Sequence, residues 1–274
     1  MSEVAPPLAP ATPTAALTPP DGRGPVVRVP LRTRAEMFLR LLAVQASWNY
    51  EILLGTGIGF SCEPALRLLP GGRGGEAYRA ALARQSQYFN AHPYLAALAV
   101  GAVVRAELDG VPPARIERFR TALCGPLGSV GDRLVWAAWL PFCSVVGLLV
   151  FGVGGGPWWV VGTFLGLYNA GHLALRAWGL QVGLARGLQV AAALGNPVLR
   201  EGPTYLSQAA AFTGGLALPL ALTRVLGPGR ALLGAVLVTV LVGAVLLARL
   251  HGRVEGWRLA IGALAAYALY SLLR

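Results

Sequence analysis

Read by its hydrophobic and polar positions, the chain changes character at Arg133. Residues 134–175 contain no Asp, Glu, Lys or Arg, a run about twice the ~20 residues that a helix needs to cross the hydrocarbon core. Two spans fit there, with a turn near Gly154, Gly155, Gly156 and Pro157. The uncharged stretches 202–223 and 231–248 are also long enough. Stretch 259–273 is marginal, but it holds Tyr267 and Tyr270 and ends beside Arg274, which can snorkel to the interface. The pattern predicts an all-α, polytopic integral membrane protein with four to five transmembrane helices after residue 133.

Before that point the apolar runs are too short to span. Residues 52–62 carry Gly55, Gly57 and Gly59, and residues 93–104 open on Pro93. Broken or re-entrant helices have this form, and their interruptions free backbone groups to line a transport path. Amphipathic helices lying on the membrane face fit the same pattern. Segments 76–90 and 114–123 have helical composition with charge on only part of the surface, which predicts interfacial or cytoplasmic helices. Residues 1–30 contain eight prolines and no apolar core of a signal peptide, so they read as a disordered Pro/Ala-rich tail. The membrane domain is then 31–274, with an amphipathic and half-helix region at 31–133 and the transmembrane helices at 134–274.

Composition supports the membrane reading, with 13% charged and 55% hydrophobic residues. The basic residues set its orientation. If 23–40 lie in the cytoplasm, two spans return Arg176, Arg186 and Arg200 to that side, and two more bring Arg249, Arg253 and Arg258 there. The N-terminus is thus cytoplasmic, and only Arg224 and Arg230 fall on the opposite side. The net charge of +11 is scattered between apolar runs rather than gathered in a stripe with aromatics. That points to anionic lipid headgroups and not to nucleic acid. All 23 basic residues are Arg, which excludes a P-loop lysine, a Schiff-base lysine and a Ser-x-x-Lys pair. Cys62, Cys124 and Cys143 have neither disulfide nor metal spacing. No His-x-x-x-His pair, nucleophile elbow or dinucleotide fingerprint is present. We expect no catalytic residue, no metal and no cofactor.

Four stretches carry candidate chemistry. In QASWNYE, Trp48 offers a flat apolar face for a pyranose ring, while Gln45, Ser47, Asn49 and Glu51 offer partners for ring hydroxyls. The same residues suit a helix cap with an interfacial aromatic belt. In YFNAHPYLA, Asn90 and His92 precede Pro93, where a half-helix would present free N–H groups; His92 is either a ligand there or a cap. In GPLGSVGDRLVW, Gly125, Pro126 and Gly131 predict a tight, close-packed bend, with Asp132 at the membrane boundary. His172 lies at membrane depth, with Asn169 one turn before it and Arg176 one turn after, either a functional group or part of a hydrogen-bonded structural cluster.

The ordered motifs QASWNYEILLGTG, YFNAHPYLA, LCGPLGSVGDRLVW and LYNAGHLALRAWGLQVGLARG resemble the IID component of the mannose/fructose/sorbose-type phosphotransferase permeases, over about residues 32–188. The resemblance implies a bacterial cytoplasmic (inner) membrane subunit in a hetero-oligomer with a IIC subunit. It also implies a hexose cargo, soluble IIA and IIB components, and HPr and enzyme I further upstream. By the same resemblance Gln45, Ser47, Trp48, Asn49 and Glu51 contribute to the sugar site or its wall against IIC; Asn90 and His92, from their place before Pro93, are further substrate-binding candidates. Gly125, Pro126, Gly131, Asp132, Asn169 and Arg176 take structural or transport roles. The sequence departs from the family in having Gly128-Ser129-Val130 where Ala-Gly-Ile is common, and Arg133 where a smaller residue is usual. The likeness fades beyond about Leu188, where a shortened C-terminal half is expected. Two rival readings are a non-transporting membrane scaffold that docks the soluble phosphotransferase proteins, and a solute channel independent of phosphorylation.

Overall fold

The computed structural model describes residues 27–227 together with Gly229, Gly234 and Val242. The expected tail therefore lies almost wholly outside the described residues, as do the expected spans at 231–248 and 259–273. Among the described residues the fold is all-helical, with only two isolated β-bridges, both involving Leu53. The chain divides into two compact units, residues 1–142 with 165–208, and residues 143–164 with 209–274.

The first unit begins with α1 (Leu31–Leu42), α2 (Gly55–Leu66), α3 (Glu76–Gln85) and α4 (Ala96–Leu108). α1 buries Met37 and Leu41 and leaves Leu31, Leu39 and Leu42 exposed, the surface of a helix lying at an interface. α2 packs against α1, α3 and α4. Both short apolar segments are buried nearly all round. Ten of the twelve α2 residues are buried, and every residue from Ala96 to Val104 in α4 is fully covered. A helix at the membrane surface would show one wet face, so the surface-helix reading fits neither.

α4 achieves this burial through small residues. It crosses α7 (Pro157–Arg186) where Gly101 meets Gly183 and Gly179 meets Ala97 and Leu98, the two α7 glycines lying four apart on one helical face. A methyl group added at Gly101 would lie 2.5 Å from the Leu180 carbonyl oxygen and 2.9 Å from the Gly183 Cα. The backbones therefore touch. A 3₁₀ stretch, Gly187–Gly195, covers another side of α4 and is entered through Gly187 at φ +51°.

The expected bend at 125–136 is absent. α5 (Pro113–Gly131) runs without a break through π-type turns at Asp132–Trp139 into α6 (Leu140–Gly152), a continuous helix of 40 residues. Segment 114–123 is the first part of this helix and not a separate interfacial element. Nothing lies within 4 Å of a methyl placed at Gly125 or Gly128, so those glycines serve no close contact. Pro126 sits inside the helix, and the widened turns that follow absorb the local change in hydrogen-bond register.

In the second unit the turn at 153–156 separates α6 from α7, as the glycine run predicts. Gly154 holds it at φ +105°. Arg224 of α8 (Pro197–Leu226) donates to the carbonyls of Phe151 (2.5 Å) and Gly155 (3.1 Å) and lies over the Phe151 ring. Its charge thus neutralises the carbonyl end of α6. Among the described residues, two helical stretches are long and apolar enough to cross a membrane, Pro113–Gly152 and Pro157–Val225. Trp158, Trp159 and Phe212 on them are more than 70% exposed. That much uncovered apolar surface requires a lipid environment.

Candidate functional site

The break before α4 holds two of the buried polar side chains, His92 and Arg176. His92 is 2% exposed. Its Nδ1 accepts the Tyr94 N–H at 3.2 Å, and its carbonyl accepts those of Leu95 and Ala96. The Ala96 N–H, first of α4, is thus spent on the His92 carbonyl, while the His92 side chain accepts only the Tyr94 N–H ahead of the helix. An Nδ1 that accepts leaves the proton of the neutral ring on Nε2, a buried atom with no partner among the described residues. Gly131 makes room for the ring. A methyl there would meet His92 Cγ at 2.5 Å, so two separately predicted residues belong to one contact.

An aromatic and cationic cluster continues from it. The Tyr94 ring is edge-on to His92, stacks on His172 (centroids 4.9 Å apart) and carries the Arg176 guanidinium 4.8 Å from its centroid. The Tyr94 and Tyr168 hydroxyls are 2.7 Å apart, and Trp136 leans on His92. Arg176, 3% exposed, donates to the Leu41 carbonyl at the end of α1, a favourable place for a cation. Asn169 bonds His172 at 2.9 Å. The hydrogen-bonded cluster expected of Asn169, His172 and Arg176 forms for the first pair only, since Arg176 turns instead to Tyr94 and α1. Tyr94, Trp136, Trp139 and Tyr168, which complete the cluster, were not singled out in the sequence. Their signal was the interleaving of aromatics with His92 and His172 in segments that must come together.

Burial and the nearby Arg176 push the His92 imidazole down to about 4. A folded value below the unfolded one of ~6.5 means that the unfolded chain binds more protons between these values, so stability falls as pH drops from 6.5 towards 4. The loss accumulated across that window is about 3 kcal/mol. A His92→Asn variant, which retains an acceptor for the Tyr94 N–H but does not titrate, should flatten this part of the pH profile of the thermal midpoint in detergent.

The QASWNYE stretch lies elsewhere, in a series of tight turns between α1 and α2. Gln45, Ser47, Trp48, Asn49, Tyr50 and Glu51 are all exposed, and Trp48 meets Tyr50 edge to face at 4.8 Å. Asn49 is spent locally, its Oδ1 accepting the N–H groups of Glu51 and Ile52, each at 3.0 Å. Backbone bonds from Leu54 to Phe89 and from Phe89 to Ile52 tie the loop to the segment ahead of His92, with Leu53 at φ +50° between them. The side chains of Gln45, Ser47, Trp48 and Glu51 make no hydrogen bonds among the described residues. Asn90, Gly125, Pro126 and Asp132 are exposed. The structure thus brings His92, Gly131 and Arg176 together, with Asn169 joined through His172, and leaves 45–51 as a separate surface.

Glu63 anchors a further cluster that links α1, α2 and α3. Its carboxylate takes Arg40 at 2.9 Å, Arg67 at 2.5 Å, Arg73 at 3.2 Å and the Tyr78 hydroxyl at 3.0 Å, while Glu36 shares Arg40 and Arg67. No group of three or more metal-ligating side chains occurs among the described residues.

Short helices buried by protein and long helices with bare apolar faces define a helical membrane protein. The chain belongs to the mannose/fructose/sorbose family of phosphotransferase-system IID components, whose pattern it matches over residues 29–215, well past Leu188. It is 31% identical over 173 residues to the PTS system mannose-specific EIID component of Escherichia coli (strain K12), a match covering 60% of this chain and 59% of that protein. Over 182 residues it is 30% identical to the fructose permease IID component of Bacillus subtilis (strain 168), covering 62% of this chain and 63% of that one. The chain spans about three fifths of the length of these curated relatives. Its fold is similar to a chain in the cryoEM structure of the mannose transporter ManYZ and microcin E492 (MceA) complex, with TM-score 0.54 and 23% identity, covering 88% of this chain and 97% of that one. A second solved structure, titled only as a membrane protein, gives TM-score 0.65 at 22% identity, covering 89% and 98%.

Proposed function

We propose that this protein is the membrane IID subunit of a phosphoenolpyruvate-dependent sugar permease in the bacterial inner membrane. In this reading it forms the hexose path together with a IIC subunit. Phosphoryl transfer belongs to IIB, supplied through IIA, HPr and enzyme I, and the chain itself carries no catalytic residue and no cofactor. The short buried helices α2 and α4 are the re-entrant halves, and the N-terminus faces the cytoplasm.

The observation that carries the site reading is the exposed, unspent chemistry of residues 45–51. An indole face and the polar ends of Gln45, Ser47 and Glu51 are presented by a loop that is itself held rigid by Asn49 and Phe89. Aromatic and amide groups left open on a fixed loop suit contact with a carbohydrate or with the wall of a partner subunit. The apolar cavity of the chain is remote from this role. Its walls would leave most ring hydroxyls without partners.

Co-expression with a IIC and a IIB, followed by uptake of labelled hexose, tests the proposal. Trp48→Ala should abolish most uptake while the protein stays folded. Asn49→Ala should also lower stability by about 1 kcal/mol, because two turn N–H groups lose their acceptor. Normal uptake in Trp48→Ala removes the assigned role, and IIB binding without any uptake by the wild type favours the scaffold reading.

A further inference from the structure

A cavity of about 490 Å³ opens beside the His92 cluster, between the π-type turns, α7 and the start of α8. Its walls are almost wholly apolar, with Leu134, Val135, Leu175 and Leu206 among them. Towards the end of α7 it adjoins a smaller recess of about 200 Å³ that is mainly polar and includes Arg186. Trp178 and Asn196 line both, so the apolar cavity and the polar recess lie next to each other along α7. Arg186 is exposed and has no hydrogen bond or ion pair among the described residues.

We infer that the two join to bind one anionic glycerophospholipid, its phosphate at Arg186 and an acyl chain in the apolar cavity. Length supports this occupant. From Arg186 back to Gly171, the far wall, α7 rises about 22 Å at ~1.5 Å per residue. One leaflet supplies about 15 Å of hydrocarbon, half of the ~30 Å core, and the headgroup layer adds roughly 5–8 Å. The polar and apolar ends are thus spaced as one lipid is. Charge supports it as well, because an arginine without a protein partner at the headgroup level favours an anionic over a neutral lipid, by about five-fold per residue. A hexose would fit the volume but not the lining. The inference rests on membrane embedding and not on sugar transport, so absent hexose uptake leaves it standing.

The full chain, exchanged between detergent and nanodiscs, can be examined by native mass spectrometry with phosphatidylglycerol and phosphatidylcholine as probes. One phosphatidylglycerol should be retained, about five times better than phosphatidylcholine, and Arg186→Gln should erase that preference. Gly202→Leu provides the second arm. Gly202 lines the cavity, and a methyl there meets nothing nearer than Leu134 Cδ1 at 3.6 Å, so the new side chain enters the cavity without displacing backbone. It should lower retention of either lipid, with helicity by circular dichroism unchanged. Equal retention of the two lipids, or wild-type retention in both variants, overturns the inference. So does a Gly202→Leu variant that loses hexose binding but keeps its lipid, which would assign the cavity to the sugar.

Discussion

Glu63→Gln should lower the stability of the folded chain by about 2–3 kcal/mol, near the lower end of what breaking a buried ion pair costs, because part of the cluster is open to solvent. The glutamate side chain is 12% exposed, whereas its partners Arg67 and Arg73 are 30% and 66% exposed. Gln retains the size and one acceptor but removes the charge that holds Arg40, Arg67 and Arg73. Arg40 and Arg67 would then share Glu36 alone. The hydrogen bond from Arg67, with help from Tyr78 and Arg40, holds the Glu63 carboxyl down at about 2, against a burial effect of the opposite sign. Its stabilising contribution is therefore fully present above the usual carboxylate value and is lost progressively as pH falls from there through about 2. Urea or heat denaturation in detergent at pH 7 measures the difference. A shift below 0.5 kcal/mol would mean that solvent screens the cluster as it does ordinary surface pairs.

Gly183→Ala should cost about 3 kcal/mol, more than most single methyl additions, because the atoms in the way are backbone. The added carbon would meet the Ala102 nitrogen at 2.8 Å and the Gly101 Cα at 2.9 Å, so the two helices must part. Gly101→Ala should cost about as much. The double variant should cost well under the sum, since helices already parted accommodate the second methyl. Gly166→Ala is the control on the same helix. Nothing lies within 4 Å of its added carbon, and higher helix propensity should make it neutral or stabilising by up to ~1 kcal/mol.

The long helices were legible because a charge-free run and a glycine turn are local signals. The turn at 153–156 needed only the residues that form it. The two short apolar segments were legible as too short to span, but not as buried on all sides, because their cover comes from distant parts of the chain. Gly179, Gly183 and Gly187 repeat every fourth residue in the sequence, a local signal of close helix contact that does not name the partner. Pro126 with Gly125 and Gly128 reads locally as a bend, yet π-type turns downstream let the helix continue. Asn49 shows the opposite limit. Its amide looked like a ligand group and serves a turn of its own loop. Glu63 could not be singled out, since its partners Arg40, Arg67, Arg73 and Tyr78 lie 4 to 23 residues away on three elements.

The glycine seam between α4 and α7 also fixes an order of biogenesis. α4 has 13 residues, about 20 Å of helix against ~30 Å of hydrocarbon, and cannot be handed to the bilayer as an independent stop-transfer segment. Its docking surface at Gly179 and Gly183 is translated some 80 residues later. α4 can therefore reach its buried position only once α7 has been made.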